Sequence, residues 1–230
     1  MKPKNEEELA SVIDHTILIP TVTGEHIRRH CEEAIKYRFF SVCVNPRWVP
    51  LAEEVLRNSG VKVVGVAGFP LGADSTAIKV AQTRELIFAG ADEIDMVADL
   101  AAIIEGDRQY LSDQLEQVCS LCHSMRPKVV LKVIIEAAAL QREQKEFACD
   151  VCSSVGVDFV KTSTGLHPAG GASVEDIRLM KTAARQCRIK AAGGIRTAKQ
   201  ALDMLEAGAD RIGCSASVQI IEQFRMERMA

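Results

Sequence analysis

The sequence predicts a single (β/α)8 barrel, and three observations carry the expectation. Short apolar, β-branched runs recur eight times, longer segments of helical period separate them, and glycine stands after several of those segments. Strand and helix in alternation imply a parallel sheet, and eight such units in about 200 to 250 residues match a closed barrel. An open doubly wound sheet has the same alternation, but no Gly-x-Gly-x-x-Gly turn follows the first strand. No linker, low-complexity stretch or charge block interrupts the 230 residues, so one domain over 1–230 is expected.

Taken in order, the chain opens with Asn5 before Glu6, Glu7 and Glu8, the pattern of a capped helix start. The expected strands are Val12–Thr16, Phe40–Val44, Val61–Ala67, Glu93–Val97, Val129–Ile135, Asp158–Thr162, Arg188–Ala192 and Arg211–Gly213. Helical period and length mark Ser75–Ala89, Tyr110–Ser124, Ser173–Cys187 and Thr197–Ala207 between them. Gly60, Gly90, Gly156 and Gly208 stand where a left-handed cap would close a helix.

Composition narrows the class. A 47% hydrophobic and 26% charged chain is ordinary for a globular protein. A net charge of -3 argues against nucleic-acid or membrane-surface partners, which call for a basic excess. No stretch approaches the roughly 18 apolar residues of a membrane span, and the N-terminus has no apolar run for a secretory signal. A cytoplasmic protein is expected, with its eight cysteines as reduced thiols. Cys119-x-x-Cys122 and Cys149-x-x-Cys152 have the spacing of zinc ligands. Both pairs lie in helical stretches where residues three apart share a face, and packing as small hydrophobes is the reading taken.

The strand ends carry the chemistry. Val157–Gly165 begins as an apolar strand, holds Lys161, and runs into Ser163-Thr164-Gly165. An ammonium inside a strand is paired, reaches out to water, or has its pKa pushed down toward a nucleophilic amine. Alternate residues of a barrel strand point inward. The apolar pair Ile94 and Met96 suits the helix layer, which turns Glu93 and Asp95 inward. The same parity aims Lys132, Lys161 and Lys190 inward from three successive strands, 29 residues apart (132 to 161, 161 to 190), at similar height. Barrel interiors are normally filled by branched apolar side chains. Clustered ammonium groups repel, and a neighbouring cation lowers a lysine's pKa toward the range where it attacks carbonyls. Asp95 and Asp14 can balance the remaining charge and move protons. A buried lysine–aspartate network that only stabilises the barrel is the bland alternative, although such pairs contribute little stability.

Small residues gather after the last three strands, in Ser163-Thr164-Gly165, Gly193-Gly194-Ile195-Arg196 and Gly213-Cys214-Ser215-Ala216. Glycines admit backbone N–H groups to an anion, and a helix beginning near Ser215 aims its positive end the same way. Barrels commonly hold phosphate after strands seven and eight; tight capping of loops is the alternative. An amine beside a phosphate site suggests Schiff-base chemistry on a phosphorylated carbonyl compound, most simply an aldolase.

Asp14-His15-Thr16, Ser41-Val42-Cys43-Val44-Asn45-Pro46, Gly68-Phe69-Pro70-Leu71-Gly72, Glu93–Val97, Leu131–Glu136 and Val160–Gly165 resemble the deoxyribose-phosphate aldolase family. Gly170-Gly171-Ala172, Ala192–Arg196 and Arg211–Gly213 do so as well, in register from about residue 9 to 220. The resemblance implies reversible cleavage of 2-deoxyribose 5-phosphate to acetaldehyde and glyceraldehyde 3-phosphate, with no metal and no cofactor. Its partners would be the phosphorylated sugar and small aldehydes; the sequence does not fix the oligomeric state, a homodimer and a homotetramer both being open. By the same resemblance Lys161 forms the Schiff base, Lys190 lowers its pKa and Asp95 relays protons. Lys132 and Asp14 support that network, and Gly165, Gly193, Gly194, Ser215 and Ala216 bind phosphate. Cys43 should lie near the aldehyde, as a trap for it or as a packed thiol.

Two departures stand out. The family usually continues Phe-Gly-Pro-Gly-Gly after the position of Gly165, whereas this chain has Leu166-His167-Pro168-Ala169-Gly170, whose imidazole would touch the phosphate or reach solvent. Some longer members end in a tail whose tyrosine assists proton transfer. This chain ends Phe224–Ala230 with tyrosine only at 37 and 110, so slower turnover or a water-borne proton is expected. Two rival readings are a sugar-phosphate isomerase and a catalytically inert sugar-phosphate binder. The isomerase needs a carboxylate or histidine base where this chain offers a lysine; the retained lysines and Asp95 speak against the inert binder.

Overall fold

Eight parallel strands pair in chain order, and the last returns to the first to close a barrel. The computed structural model describes residues 3–229; Met1, Lys2 and Ala230, part of the terminal stretches read above, lie outside the described residues. The strands are β1 (Ile13–Ile17), β2 (Ser41–Val44), β3 (Lys62–Ala67), β4 (Glu93–Val97), β5 (Val130–Ile134), β6 (Phe159–Lys161), β7 (Arg188–Ala192) and β8 (Arg211–Cys214). Around them run α1 (Glu6–Ala10), α2 (Gly24–Tyr37), α3 (Val49–Leu56), α4 (Thr76–Phe88), α5 (Leu100–Glu105), α6 (Arg108–Ser124), α7 (Arg142–Val155), α8 (Val174–Ala183), α9 (Ala198–Ala207) and α10 (Ser217–Met229). No described helix is long and apolar enough to cross a membrane.

Local chemistry sets most element ends. The Asn5 side chain accepts from Glu8 N and starts α1, while Thr23 and Thr197 form capping boxes at α2 and α9. Gly156 and Gly208 close α7 and α9 in the left-handed conformation, and Gly90 follows α4 with the same sign of φ. Gly60 does not close a helix: α3 stops at Leu56, Arg57 leaves helical geometry, and Asn58 takes φ 66° before Gly60 is reached. The helix expected to reach Cys187 stops at Ala183, because Ala184 turns to ψ 64°. β6 is one residue shorter at each end than expected, and beyond it Thr162 N still donates to Lys190 O at 3.0 Å while its side chain adds a second tie to β7. Its hydroxyl accepts from Ala192 N and donates to Ala192 O, both at 3.0 Å.

Alternation along the strands sorts side chains into two compartments. Ile13, Val42, Ile94, Met96, Leu131, Val133, Val160, Ile189 and Ile212 face the helices and build the main core with Leu9, Leu115 and Ile177. That core is close to fully apolar, and at about 25 cal/mol per Å² of buried surface it supplies most of the driving force for folding. Cys119, Cys122, Cys149 and Cys152 belong to it, packed from α6 and α7. The barrel interior differs. There Cys43, Val64 and Val66 form a small apolar group, and charged side chains occupy the centre.

Candidate active site

The ladder register places the lysines. Asp95 lies beside Lys132 across β4 and β5, and Lys161 beside Lys190 across β6 and β7. Lys132, however, stands opposite Phe159, while Lys161 stands opposite Ile134. The three lysines are therefore not level in the ladder, as similar height would have it: Lys132 is two residues deeper than Lys161. Length compensates, since each stem is four methylenes long, and all three amines reach Asp95. Lys132 Nζ donates to Asp95 Oδ1 at 2.8 Å, and Lys161 and Lys190 donate to Oδ2 at 2.6 and 2.8 Å.

Further carboxylates then distinguish the lysines. Lys132 also contacts Glu93 Oε2 at 2.6 Å, and Lys190 contacts Asp14 Oδ2. Lys161 has Asp95 alone. Asp14 is itself held by Ser41 Oγ at 2.6 Å and Arg211 Nη1 at 2.8 Å. Arg211 reaches Glu93 at 3.4 Å and lays its guanidinium 3.4 Å from the Phe40 ring centroid. Four cationic side chains (Lys132, Lys161, Lys190, Arg211) thus meet three carboxylates (Asp14, Glu93, Asp95), every one of them buried. The cluster is neutral when one lysine gives up its proton, and desolvation favours that outcome.

The pKa directions identify which lysine. Burial pulls on all three. For Lys132 it is outweighed by Asp95 and Glu93, and for Lys190 by Asp14 and Asp95, so both lie above the ordinary lysine value. For Lys161 burial wins, Asp95 opposes it only in part, and the Lys190 charge adds to it, so its pKa is lowered. Asp95 and Asp14 stay ionised: burial would raise both, but the surrounding cations hold them well below the usual carboxylate range.

Lys161 also forms the floor of a cavity of about 220 Å³ at the C-terminal mouth of the barrel. Gly165, Gly193, Gly194 and Ser215 line it with Arg196, Ile17 and Leu18. Ala216, expected among them, does not line it and precedes α10 instead. The glycine loops touch closely: a Cβ on Gly171 would sit 2.2 Å from Gly193 O, and Gly193 itself holds φ 90°. Beneath them Glu136, at φ 50°, accepts from Thr164 N at 3.2 Å and Thr164 Oγ1 at 2.7 Å, pinning the loop after β6 to the end of β5. His167 does not reach the cavity; its Nδ1 accepts from Ala169 N at 3.1 Å and braces its own loop. Cys43 lies among the charged groups, but burial and the nearby Asp95 push its thiol up to about 11, which keeps it protonated at neutral pH.

The structure brings together Asp14, Cys43, Asp95, Lys132, Lys161 and Lys190. Sequence reasoning missed Arg211, Ser41 and Glu136 as parts of this machinery. Parity held the signal for Arg211, since it is in phase with Gly213 on β8 and so points inward. Among the described residues, His15, His30 and Glu33 are the group close enough together to suggest a metal site. The two imidazoles stack at 3.5 Å between centroids with 12° between planes. Their in-plane lone pairs therefore run parallel rather than converging on one ion.

Fold and site together define a barrel enzyme of the class I aldolase type. The chain belongs to the DeoC/LacD family of aldolases, whose sequence model matches residues 9–219. It is 49% identical over 221 residues to a deoxyribose-phosphate aldolase of Thermococcus gammatolerans, covering 95% of this chain and 97% of that one. A deoxyribose-phosphate aldolase of Thermococcus kodakarensis is 48% identical over the same shares. Among solved structures, the tetrameric deoxyribose phosphate aldolase of Aeropyrum pernix superposes with a TM-score of 0.90 at 31% identity, over 97% of this chain and 94% of its own.

Proposed function

We propose that this single-barrel chain reversibly cleaves 2-deoxy-D-ribose 5-phosphate into D-glyceraldehyde 3-phosphate and acetaldehyde through a Schiff base on Lys161. One observation carries the reading: of three buried lysines on one aspartate, Lys161 has the fewest carboxylate partners, the lowered pKa and the cavity above it. Its neutral amine adds to the C1 aldehyde of the open-chain sugar, and loss of water leaves the imine. The C3 hydroxyl gives up its proton as the C2–C3 bond breaks. The bonding electrons become an enamine on Lys161, and glyceraldehyde 3-phosphate departs. Protonation of C2 and hydrolysis then release acetaldehyde and restore the amine. Asp95 is the carboxylate beside these proton transfers, while Lys132 and Asp14 hold it and Lys190 in place. The backbone of Gly165, Gly193 and Gly194, with Ser215, suits the phosphate, and α10 begins just beyond with its positive end nearby.

The eight unpaired, buried cysteines suit a reducing cytoplasm, and the tetrameric relative supports a homo-oligomer for this chain. Reduction of the protein with cyanoborohydride and acetaldehyde, followed by peptide mapping, tests the nucleophile beside a cleavage assay on deoxyribose 5-phosphate. An adduct on Lys161 with turnover is expected, both absent from Lys161→Ala while its circular dichroism is unchanged. An adduct on Lys190 or Lys132 would overturn the assignment.

A further inference from the structure

Asp95 is shared among three ammonium groups. Two oxygens serve three ammonium groups, and Lys161 shares Oδ2 with Lys190. Lys190 has an alternative, because Asp14 Oδ2 is in contact with it as well. Lys190 does not have Asp14 to itself, since Arg211 draws on the other oxygen, Oδ1, at 2.8 Å. The same Nη1 reaches Glu93 at 3.4 Å, so it also draws on the carboxylate that Lys132 would otherwise have to itself.

Arg211 is well placed for this part. It enters from the start of β8, 5% exposed, with its guanidinium over the rings of Phe40 and Phe159 at 3.4 and 5.4 Å. The aromatic faces hold a planar cation that has no protonation equilibrium of its own at working pH. It is a permanent charge in a cluster where the lysines titrate.

We propose that Arg211 is a positioning residue for the Schiff-base step: by occupying Asp14 and Glu93 it drives Lys190 and Lys132 onto Asp95 and leaves Lys161 with the weakest hold on a carboxylate. The relay runs from Arg211 through Asp14 to Lys190, then through Asp95 Oδ2 to Lys161. The groups facing this relay are few. β1 contributes Asp14, β2 Cys43, β4 Glu93 and Asp95, β5 Lys132 and β7 Lys190, while β3 offers only Val64 and Val66. Cys43 stays protonated, so the balance lies between four cations and three carboxylates. Neutralising Arg211 equalises that count and removes the incentive for Lys161 to lose its proton; neutralising Glu93 increases it.

The inference rests on Lys161 being the nucleophile, and the experiment separates the two. The rate of Lys161 labelling by acetaldehyde and cyanoborohydride is followed from about pH 5 to about pH 10. The full-length wild type is compared with Arg211→Gln, Arg211→Lys and Glu93→Gln, each checked by circular dichroism. In Arg211→Gln the labelling midpoint should rise by about one pH unit. Arg211→Lys should stay near the wild type, because it keeps the charge. Glu93→Gln should move the midpoint down, by a similar amount. An unmoved midpoint in Arg211→Gln with lower amplitude would show a merely structural role and overturn the inference. So would Arg211→Lys moving as far as Arg211→Gln. Should Arg211→Gln not fold, the direction of the Glu93→Gln shift decides, and no downward movement overturns the relay. A wild type labelled on another lysine removes the nucleophile assignment and the inference with it; normal Lys161 labelling with unmoved variants removes the inference alone.

Discussion

Lys190→Met removes the ammonium that shares Asp95 Oδ2 with the proposed nucleophile. Methionine matches the lysine stem in length, and that stem packs on Gly213, where a Cβ would come within 3.0 Å of Lys190 Cε. No carboxylate is orphaned: Asp14 keeps Arg211 and Asp95 keeps Lys132, both at 2.8 Å. The fold should therefore hold. Lys161 and Lys190 lie 2.6 and 2.8 Å from one oxygen, so their nitrogens are at most about 5.4 Å apart, which at an effective dielectric of about 20 is a repulsion of about 3 kcal/mol. Losing it raises the Lys161 pKa by about two units. The sign follows from the reactive form: only the neutral amine attacks, so a higher pKa moves the rising limb of the pH profile to higher pH. On that limb each unit costs about tenfold, so kcat/KM near neutrality should fall about 100-fold and recover at alkaline pH. The assay is the pH dependence of kcat/KM for deoxyribose 5-phosphate cleavage. A uniform fall with the limb unmoved would refute the electrostatic role and leave Lys190 as a direct proton donor.

Two other perturbations probe the surroundings. Gly171→Ala places a methyl 2.2 Å from Gly193 O, forcing the two glycine loops apart; KM for the phosphorylated sugar should rise by at least about tenfold while that for unphosphorylated 2-deoxyribose changes far less. Equal effects on both substrates would remove these loops from phosphate binding. His15 and His30 are buried with one ring nitrogen each unpartnered, and burial lowers both to about 3. An unfolded histidine protonates near pH 6.5 while the folded one does not, so stability falls as pH drops below about 6.5 toward the folded value. Between pH 7 and pH 5 each should cost about 2 kcal/mol of unfolding free energy. His30→Phe should lose about half of that pH dependence in urea melts, and an unchanged slope would contradict a neutral buried pair.

The barrel was legible because its signals are local and repeated. β-Branched runs of strand length, helical period between them and left-handed glycines at α7 and α9 each report on a few neighbouring residues. Element ends were less so. β6 spans only Phe159–Lys161 although the Thr162 backbone and hydroxyl both still bond to β7, and α3 ends before Gly60 because Asn58 takes the left-handed turn first. Parity was enough to aim Glu93, Asp95 and the three lysines into one space, since side-chain alternation is a property of the strand itself.

What parity could not supply is who touches whom. The residue types, their inward direction and the resemblance to the aldolase family were all readable from the chain, and they name Lys161. That Lys161 has one carboxylate while Lys132 and Lys190 have two was decided by the closed barrel. The ladder register sets Lys132 two residues deeper, and the join of β8 to β1 brings Arg211 onto Asp14 across 197 positions of sequence. Protonation in such a cluster depends on distances of a few ångströms between groups from six strands. Those distances exist only once the sheet has closed, so the sequence determined the charges and the tertiary structure determined which amine has the fewest carboxylate partners.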